Sequence, residues 1–419
     1  MNAAPNTFAT IAAAVAALPA GPLTEPDVRS HVTPLFSRAL ARHDKSYLAN
    51  HSLGRPLDTT QSDVAEALAA WYARLGKAWD AWMAEREAHR ARLARLLHAT
   101  RPDCVVPKTS AGQGLRAVLN AFDGKPHVVA TRGEFDSLDV ILREYVRRGR
   151  VSITFVEPRA DGDFDASDVL AAIGPATDLV VISQVMFKTG QILPELPAII
   201  ARAHAVNARI MLDVYHSLGV FPVDVEALAV DYAVGGSYKY LRGGPGACFL
   251  YIAPRHLDAG LTTLDIGWFA KDSPFVYDRP DPPRLGSGGD AWLESTPAVL
   301  PFYQSRAGQV FTEAVGVERL REHSLRLQQR LVALLAAGGV SARGGTIDRG
   351  AFVIIQDQNA RAWAAALGER GIVTDARGDY LRLCPDILTT DAELVAAAGA
   401  LTEIAASFGG WQRVATTRG

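Results

Sequence analysis

Short apolar runs that alternate with helical patterns dominate the chain from Cys104 onwards. Each run has the length of a single strand and is rich in β-branched residues; the runs are CVVPK, HVVAT, VSITF, DLVVIS, RIMLD, DYAVGG and ACFLYI. Strands that are apolar on both faces and separated by helices lie in a mostly parallel sheet that is covered on both sides. The pattern therefore predicts an α/β fold with a mostly parallel, doubly wound sheet, in which ligands bind at the carboxyl ends of the strands.

The length of the chain, 419 residues, favours one large domain and one smaller domain. We predict an N-terminal arm over residues 1–60, a large domain over 61–300 that holds the sheet, a small C-terminal α/β domain over 301–410 and a tail over 411–419. The predicted helical pattern at the start of the large domain is interrupted near Gly76, which indicates two helices.

Charge and cysteine content exclude several classes of partner and site. The chain has 43 Lys and Arg against 45 Asp and Glu, without blocks of either sign, so neither nucleic acid nor an anionic membrane is an expected partner. No run reaches the ~18 apolar residues of a membrane span. Cys104, Cys248 and Cys384 show no ligand spacing, so we expect no metal site and no disulfide, as in a cytoplasmic protein.

The segment KTSAGQGLRAVLNAF follows the first predicted strand and opens a helix. Gly112, Gly114 and Ala117 fit the G-x-G-x-x-A pattern of dinucleotide-binding proteins, with Glu134 about twenty residues further on. Backbone N–H groups at a helix N-terminus bind the phosphate of other cofactors equally well. A tight turn without any ligand would give the same pattern, so this segment alone leaves the question open.

A lysine and an aspartate are predicted to meet at the same edge of the sheet. The run RIMLD ends in Asp213, and DYAVGG ends a few residues before Lys239 in SYKYLRGGPG. Pyridoxal phosphate needs a lysine for its Schiff base, a carboxylate for its pyridine nitrogen and an anion-binding helix terminus. Either residue alone is more simply a surface lysine or a helix cap, but their joint placement favours this cofactor over a nicotinamide.

Several longer segments resemble the kynureninases, which belong to the aminotransferase class V group of fold-type-I pyridoxal-phosphate enzymes. The resemblance extends over nearly the whole chain and is carried, in the same order, by YLANHSLGRP (47–56), SQVMFKTGQ (183–191), LDVYHSLGVFPVDV (212–225), VGGSYKYLRGGPGA (234–247), IGWF (266–269) and ESTP (294–297). It implies a pyridoxal 5'-phosphate cofactor, an N-terminal arm, a large cofactor domain, a small C-terminal domain and a homodimer whose active sites lie at the subunit interface.

The resemblance also implies roles for individual residues. Lys239 is the expected Schiff-base lysine and Asp213 the partner of the pyridine nitrogen. Tyr238 is expected to bind the phosphate and to act as an acid, and His216 corresponds to a histidine of the cofactor site. The remaining expected cofactor-binding residues are Ser110, Ala111 and Gly112 in the phosphate turn, Phe135 stacked on the pyridine, Ser183, and Trp268 and Thr296 from the partner subunit.

The expected substrate site departs from the family pattern. Arg382 in YLRLCP is the expected anchor of the substrate α-carboxylate, and His51, a second predicted substrate-binding residue, replaces an asparagine of the family. Trp79 stands where the family has a histidine that recognises an aryl group, and Tyr215 replaces a small residue. A carboxylate usual three positions after Phe135 is missing, since Leu138 stands there, or is displaced to Asp139. These changes leave the cofactor chemistry intact but put an aryl substrate in doubt.

These observations predict a kynureninase-like hydrolase that cleaves the Cβ–Cγ bond of a γ-carbonyl L-amino acid and releases L-alanine and a carboxylic acid. Another class V reaction, transamination or β-elimination on an amino acid, is the alternative, because a fold does not determine a reaction. A desulfurase is less favoured, since no cysteine lies in the loop upstream of Arg382. A Rossmann-type NAD dehydrogenase and an inactive binding protein are more distant alternatives.

Overall fold

The computed structural model describes residues 6–42 and 44–408. The helices are α1 Thr7–Ala16, α2 Glu25–Asp27, α3 Ser37–Leu40, α4 Thr60–Arg74, α5 Ala78–Leu96, α6 Ala111–Leu119, α7 Asp136–Arg147, α8 Ala166–Ala172, α9 Leu196–Ala205, α10 Pro254–Asp258, α11 Leu300–Val315, α12 Val317–Ala337, α13 Ala360–Glu369 and α14 Asp391–Ser407. The strands are β1 Ser46–Tyr47, β2 Val105–Lys108, β3 His127–Thr131, β4 Ser152–Val156, β5 Leu179–Ser183, β6 Arg209–Asp213, β7 Tyr232–Gly236, β8 Cys248–Ile252, β9 Val353–Gln356, β10 Ile372–Val373, β11 Asp375–Arg377 and β12 Tyr380–Leu383.

The central sheet contains all the strands that the apolar runs predicted. Within the described residues it has seven strands in the order β2-β8-β7-β6-β5-β3-β4. Strands β3 to β7 are parallel to their neighbours in that group, while β8 is antiparallel to both β7 and β2. Most of these residues are buried because helices cover both faces, so the predicted α/β class with a mostly parallel sheet is confirmed.

Two glycines let helix α6 lie close to its neighbours, Gly114 against the sheet and Gly112 against α7. A Cβ atom at Gly114 would lie 2.5 Å from Cγ1 of Val234 in β7, and one at Gly112 would lie 2.8 Å from Cδ1 of Ile141 in α7. Neither distance is compatible with a side chain unless the neighbour moves. The G-x-G pattern therefore has a packing function, which brings the N-terminus of α6 to the carboxyl edge of the sheet.

The C-terminal part has its own small sheet and core. Antiparallel strands β11, β12 and β9 pack with α12, α13 and α14 around buried residues that include Trp363 and Leu383. Strand β1 of the arm pairs with β10, while α1 and α4 pack against α11. The domain bounds stay predictions, and the tail predicted over 411–419 lies outside the described residues. None of the described helices combines the length and apolarity of a membrane-spanning helix.

Candidate active site

A cavity of about 160 Å³ opens at the carboxyl edge of the sheet. It is lined by most of the residues that the sequence predicted for the site: Ser110, Ala111, Phe135, Ser183, Asp213, His216, Tyr238 and Lys239. The other predicted residues lie outside this lining: Gly112, Trp268, Thr296, Arg382 and His51. The structure thus brings together the lysine, the aspartate and the start of α6 that a pyridoxal-phosphate site requires.

Lys239 follows β7, and the N-terminal arm packs against the backbone of Tyr238 and Lys239. The Gly54 amide donates a hydrogen bond to the Tyr238 carbonyl over 2.8 Å, and a Cβ atom at Gly54 would lie only 2.0 Å from the Lys239 carbonyl oxygen. The Nζ atom of Lys239 lies 5.5 Å from the ring centroid of Phe135 and 5.2 Å from that of Tyr215. Aromatic rings therefore surround the lysine amine, while the arm contacts the backbone at the same residue.

The Lys239 amine lies 2.7 Å from Nε2 of His216. Burial lowers the pKa of Lys239 to about 7, although the Asp213 carboxylate acts in the opposite direction. Burial and the Lys239 charge also hold the pKa of His216 well below its usual range, so this ring is neutral. Its other nitrogen, Nδ1, lies 3.1 Å from the Tyr240 hydroxyl. A neutral imidazole beside a lysine of pKa near 7 suits reversible proton transfer.

Asp213 ends β6 and lines the cavity. Its Oδ1 atom accepts a hydrogen bond from the Tyr215 amide over 2.8 Å. No residue in the described part of the chain donates a hydrogen bond to Oδ2. Burial raises the pKa of Asp213 to about 6, against the effects of the Tyr215 amide and Lys239. The carboxylate thus has one oxygen available for a cationic partner in the cavity.

The start of α6 lies at another part of the cavity lining. Ser110 caps the helix, and its Oγ accepts a hydrogen bond from the Gln113 amide over 3.2 Å. The Gln113 side chain in turn accepts the Thr109 amide over 2.7 Å. The first N–H groups of a helix have no partner within it and favour an anion at this end. Ser110 and Ala111 are therefore placed to bind a phosphate.

Glu134 is a buried carboxylate that the sequence analysis did not assign to the cofactor site. Its Oε1 atom accepts hydrogen bonds from the Thr131 hydroxyl at 2.6 Å and the Ser183 amide at 3.2 Å, and Oε2 accepts the Ser183 hydroxyl at 2.6 Å. Burial raises the pKa of Glu134 to about 7 despite these donors. Because Ser183 pairs with Asp213 in the register of β5 and β6, Glu134 links the end of β3 to the floor of the cavity.

Tyr215 and Cys248 form a second pair that sequence analysis did not predict. The Tyr215 hydroxyl lies 2.7 Å from Sγ of Cys248, and both residues line the cavity. Burial raises the pKa of the Cys248 thiol to about 11 and that of the Tyr215 hydroxyl well above its usual value. Both groups are therefore neutral at pH 7, and the pair shapes the wall beside Lys239.

Arg382 lies behind the cavity wall and is not exposed to solvent. Its Nε atom donates to Oδ1 of Asp375 over 2.8 Å, and Nη1 donates to the carbonyl of Phe187, a lining residue. His51 contacts the same carboxylate, with Nε2 at 2.7 Å from Oδ1 of Asp375. The two predicted substrate-binding residues are thus brought together by Asp375, which the sequence analysis did not single out.

Trp268 and Thr296 contact each other at a distance from the cavity lining. The indole Nε1 of Trp268 donates to Oγ1 of Thr296 over 3.2 Å, and the ring stacks on Tyr277 with centroids 5.9 Å apart. Trp79 packs against Phe275 in the same aromatic group, at 5.7 Å between centroids. None of these three predicted positions reaches the cavity that lies within the same chain.

Comparison with known proteins assigns the family. The model of the family described as aminotransferase class V matches residues 64–380, which is more than half of the chain. This chain belongs to the aminotransferase class V family. A kynureninase of Salinispora tropica is 30% identical over 81% of this chain and 85% of its own length, and a kynureninase of Deinococcus radiodurans is 31% identical over 82% and 84%. An uncharacterized aminotransferase of Bacillus subtilis is 28% identical over 82% of this chain and 90% of its own length.

Two solved structures share the fold. A cystine C-S lyase in complex with its product, cysteine persulfide, superposes with a TM-score of 0.78 at 20% identity, over 87% of this chain and 99% of that one. A cysteine desulfurase from Escherichia coli gives a TM-score of 0.75 at 17% identity, over 93% of this chain and 100% of that one. The chain is therefore a fold-type-I enzyme that depends on pyridoxal 5'-phosphate, and the dehydrogenase alternative is set aside.

The residues around the cavity fit this cofactor. Asp213 offers an oxygen that no described residue occupies, the start of α6 offers amides for a phosphate, and Lys239 lines the same cavity. Phe135 provides an aromatic face within 5.5 Å of the Lys239 amine. A carboxylate, amides at a helix start, a lysine amine and an aromatic face are the kinds of group that pyridoxal phosphate requires for its pyridine nitrogen, phosphate, aldehyde carbon and ring.

Proposed function

We propose that this enzyme is a kynureninase-like hydrolase. Its substrate would be an L-amino acid that carries a carbonyl group at Cγ. Water adds to that carbonyl, the Cβ–Cγ bond breaks with its electron pair on Cβ, and a proton on Cβ completes the products. These are L-alanine and the carboxylic acid formed from Cγ, so that one water molecule is consumed for each substrate.

The observation that carries this proposal is the extent of the likeness to two kynureninases. Both are at least 30% identical to this chain over more than four fifths of each sequence. The likeness includes the segments that contain Asp213, His216 and Lys239, which meet in the cavity. The lyase and desulfurase structures support only the fold, since they are 20% identical or less.

The cofactor, when bound, supplies an electron sink for the carbon atoms of the substrate. Asp213 would hold a proton on the pyridine nitrogen through its unoccupied oxygen. Lys239, with a pKa near 7, would remove the Cα proton and return it later, and neutral His216 would orient the amine through the 2.7 Å contact. Arg382 would receive the α-carboxylate, and Tyr238 would bind the phosphate and supply a proton to a reacting oxygen or carbon.

The cysteines argue against a desulfurase. A thiolate is the reactive form of cysteine. Burial raises the pKa of Cys104 to about 12, that of Cys248 to about 11 and that of Cys384 further still, so all three are thiols at pH 7. Each is also buried and free of a disulfide. The free thiols agree with the cytoplasmic location that the sequence predicts.

Transamination is the second candidate, and the likeness to an uncharacterized aminotransferase favours it. A transaminase needs a 2-oxo acid to regenerate its cofactor, whereas a hydrolase turns over with water alone. L-Kynurenine, 3-hydroxykynurenine and common amino acids should therefore be tested with and without a 2-oxo acid, with L-alanine and the carboxylic acid as the products measured. Turnover that depends on the 2-oxo acid would replace hydrolysis by transamination as the proposed reaction.

We propose that the active form is a homodimer in which Trp268 and Thr296 complete the site of the partner subunit. An exposed aromatic strip supports this proposal: Trp71, Tyr72 and Tyr277 are 55%, 84% and 69% exposed, and ring contacts connect Trp71 through Trp82, Trp79, Phe275 and Trp268 to Tyr277. Large exposed apolar surfaces of this kind are characteristic of interfaces. No nucleic acid or membrane partner is proposed.

A further inference from the structure

A partly buried network connects the N-terminal arm to Arg382. Asp375 lies at its centre: Oδ1 is 2.7 Å from Nε2 of His51 and 2.8 Å from Nε of Arg382, while Oδ2 is 2.5 Å from Nη2 of Arg382 and 2.8 Å from the Ser52 hydroxyl. Burial would raise the pKa of Asp375, but the hydrogen bonds from His51 and Arg382 outweigh it and hold the pKa far below its usual range. Asp375 is therefore a permanent carboxylate.

Strand pairing and the arm both hold this carboxylate in place. Asp375 and Arg382 lie opposite each other in the antiparallel register of β11 and β12, so their side chains share one face of the hairpin. His51 is fully buried, and burial lowers its pKa to about 4, so the ring is neutral; because a carboxylate can only accept, its single proton lies on Nε2 and is donated to Asp375. The arm segment that carries His51 and Ser52 also contacts the loop after β7 that contains Tyr238 and Lys239 (the lysine loop), because the Gly54 amide donates a hydrogen bond to the Tyr238 carbonyl.

The network occupies only one edge of the Arg382 guanidinium. A guanidinium has five N–H donors, and Asp375 accepts those of Nε and Nη2 on one side. Nη1 donates to the Phe187 carbonyl in the cavity wall. One N–H group on each terminal nitrogen is left without an acceptor among the described residues. The Nη1 and Nη2 atoms together form the second edge of a guanidinium, and such an edge binds a carboxylate through two parallel hydrogen bonds.

The net charge at this place is positive. Arg377 lies 3.3 Å from Asp375, so two guanidinium groups face a single carboxylate. Arg382 and Arg377 lower the pKa of Lys239 while Asp213 and Asp375 raise it, so the charges of this group act on the cavity. At this place an incoming carboxylate would meet two guanidinium groups and one carboxylate, so the local charge stays positive while Asp375 remains bound to Arg382.

We propose that Asp375 is a positioning residue for substrate binding: with His51 and Ser52 of the arm it holds one edge of Arg382 and directs the other edge towards the cavity, where it receives the α-carboxylate of an amino acid. This inference rests on the proposed role of Arg382 as the carboxylate anchor. It assigns His51 a place behind the arginine instead of in contact with the substrate. It also makes the arm part of the substrate site.

The test measures how much a carboxylate contributes to ligand binding in the enzyme loaded with pyridoxal phosphate. L-Alanine and ethylamine share an amine and a carbon chain but only the former has a carboxylate, and both are titrated through the visible absorbance of the bound cofactor. The dissociation constant of ethylamine divided by that of L-alanine measures how much the carboxylate contributes to binding. Asp375→Asn should reduce this ratio about 10- to 100-fold, because misplaced groups lose that much binding or rate, and should leave the dissociation constant of ethylamine unchanged.

Asp379→Asn is the matched control, since it removes a carboxylate from the exposed turn of the same hairpin. It should leave both dissociation constants at the wild-type values. Ser52→Ala removes a single hydrogen bond to Asp375 and should reduce the ratio about two- to tenfold. If Asp375→Asn does not yield folded enzyme, Ser52→Ala decides the question by the same ratio.

Two results would overturn the inference. Tighter binding of L-alanine by Asp375→Asn would show that Asp375 competes with the substrate for Arg382. An unchanged ratio in both Ser52→Ala and Asp375→Asn would show that the network does not affect how Arg382 binds a carboxylate. Arg382→Lys separates these results from a failure of the proposed function. If the ratio is unchanged in Arg382→Lys, Arg382 is not the carboxylate anchor and the proposed function fails at this point. If the ratio falls in Arg382→Lys but not in Asp375→Asn or Ser52→Ala, Arg382 is the anchor and only the positioning role of Asp375 is wrong.

Discussion

Lys239 Nζ and His216 Nε2 lie 2.7 Å apart, and both residues line the cavity at the carboxyl edge of the sheet. The pair is formed by two loops that follow neighbouring parallel strands, β6 and β7. Because burial disfavours charge on both groups, the lysine titrates near neutral pH and the histidine stays neutral. The site thus contains a nucleophilic amine at pH 7 before any cofactor binds.

The first prediction concerns the titration of that amine. Lysine reacts with an aldehyde only as the neutral amine, so covalent capture of pyridoxal phosphate by the apoenzyme should accelerate as the pH rises through about 7 and then level off. Stopped-flow absorbance measures the rate, and borohydride reduction with peptide mapping identifies the lysine. Lys239→Ala is the control and should show no capture. A label on another lysine in the wild-type enzyme would contradict the assignment.

Asp213→Asn should retain the cofactor but lose most turnover. An amide occupies the same space and still accepts the Tyr215 amide, but it cannot hold a proton on the pyridine nitrogen. We expect kcat to fall about 100-fold or more, the size of the effect when an electrostatic group of the transition state is removed. Cofactor affinity, measured by fluorescence quenching of the apoenzyme, should stay close to the wild-type value. A near-normal kcat would mean that Asp213 has another role.

Glu134 should make the apoenzyme less stable as the pH rises. Its pKa is raised from 4.5 to about 7 in the folded state, so its stabilising contribution is present in full below pH 4.5 and is lost as the pH rises through 7. The change corresponds to about 3 kcal/mol, at 1.36 kcal/mol per pKa unit. Urea unfolding at several pH values should give a smaller loss for Glu134→Gln, which remains neutral throughout. An equal pH dependence in both proteins would exclude this account.

Gly54→Ala should separate the arm from the lysine loop. Its Cβ atom would lie 2.0 Å from the Lys239 carbonyl oxygen, which is a backbone atom and cannot turn away. Overpacking of this kind costs about 1–3 kcal/mol, and we also expect weaker cofactor binding. Gly76→Ala is the matched control, because a Cβ atom there has no neighbour within 4 Å. Similar thermal midpoints for the two variants would show that the arm adapts freely.

Mixing of inactive subunits tests the shared site. If Thr296 acts across the interface, a heterodimer of Lys239→Ala and Thr296→Val subunits has one site with both residues intact and should regain activity. A heterodimer of Lys239→Ala and Asp213→Asn has no intact site and should remain inactive, since both residues line the same cavity. Mass spectrometry should verify the composition of the heterodimers. If the first heterodimer is then inactive, Thr296 acts in the site of its own chain.

The sheet and the position of the site followed from local sequence patterns. Each apolar run was a strand, and the carboxyl ends of parallel strands meet at one edge, so Asp213 and Lys239 were predicted to lie together. The shape of the cavity did not follow in the same way. Glu134 contacts Ser183 only because β3 is a neighbour of β5, and strand order depends on how the helices pack between them.

Around Arg382, too, one contact follows from the local sequence and another depends on tertiary packing. The Gly378-Asp379 turn between two short strands is a hairpin signal that would have placed Asp375 opposite Arg382 from sequence alone. The contact between His51 and Asp375 spans 324 residues and depends on the pairing of β1 with β10. Nothing in the local sequence of the arm specifies that pairing. Periodicity determines which segments are strands and helices, whereas contacts between distant segments depend on the packing of the whole chain.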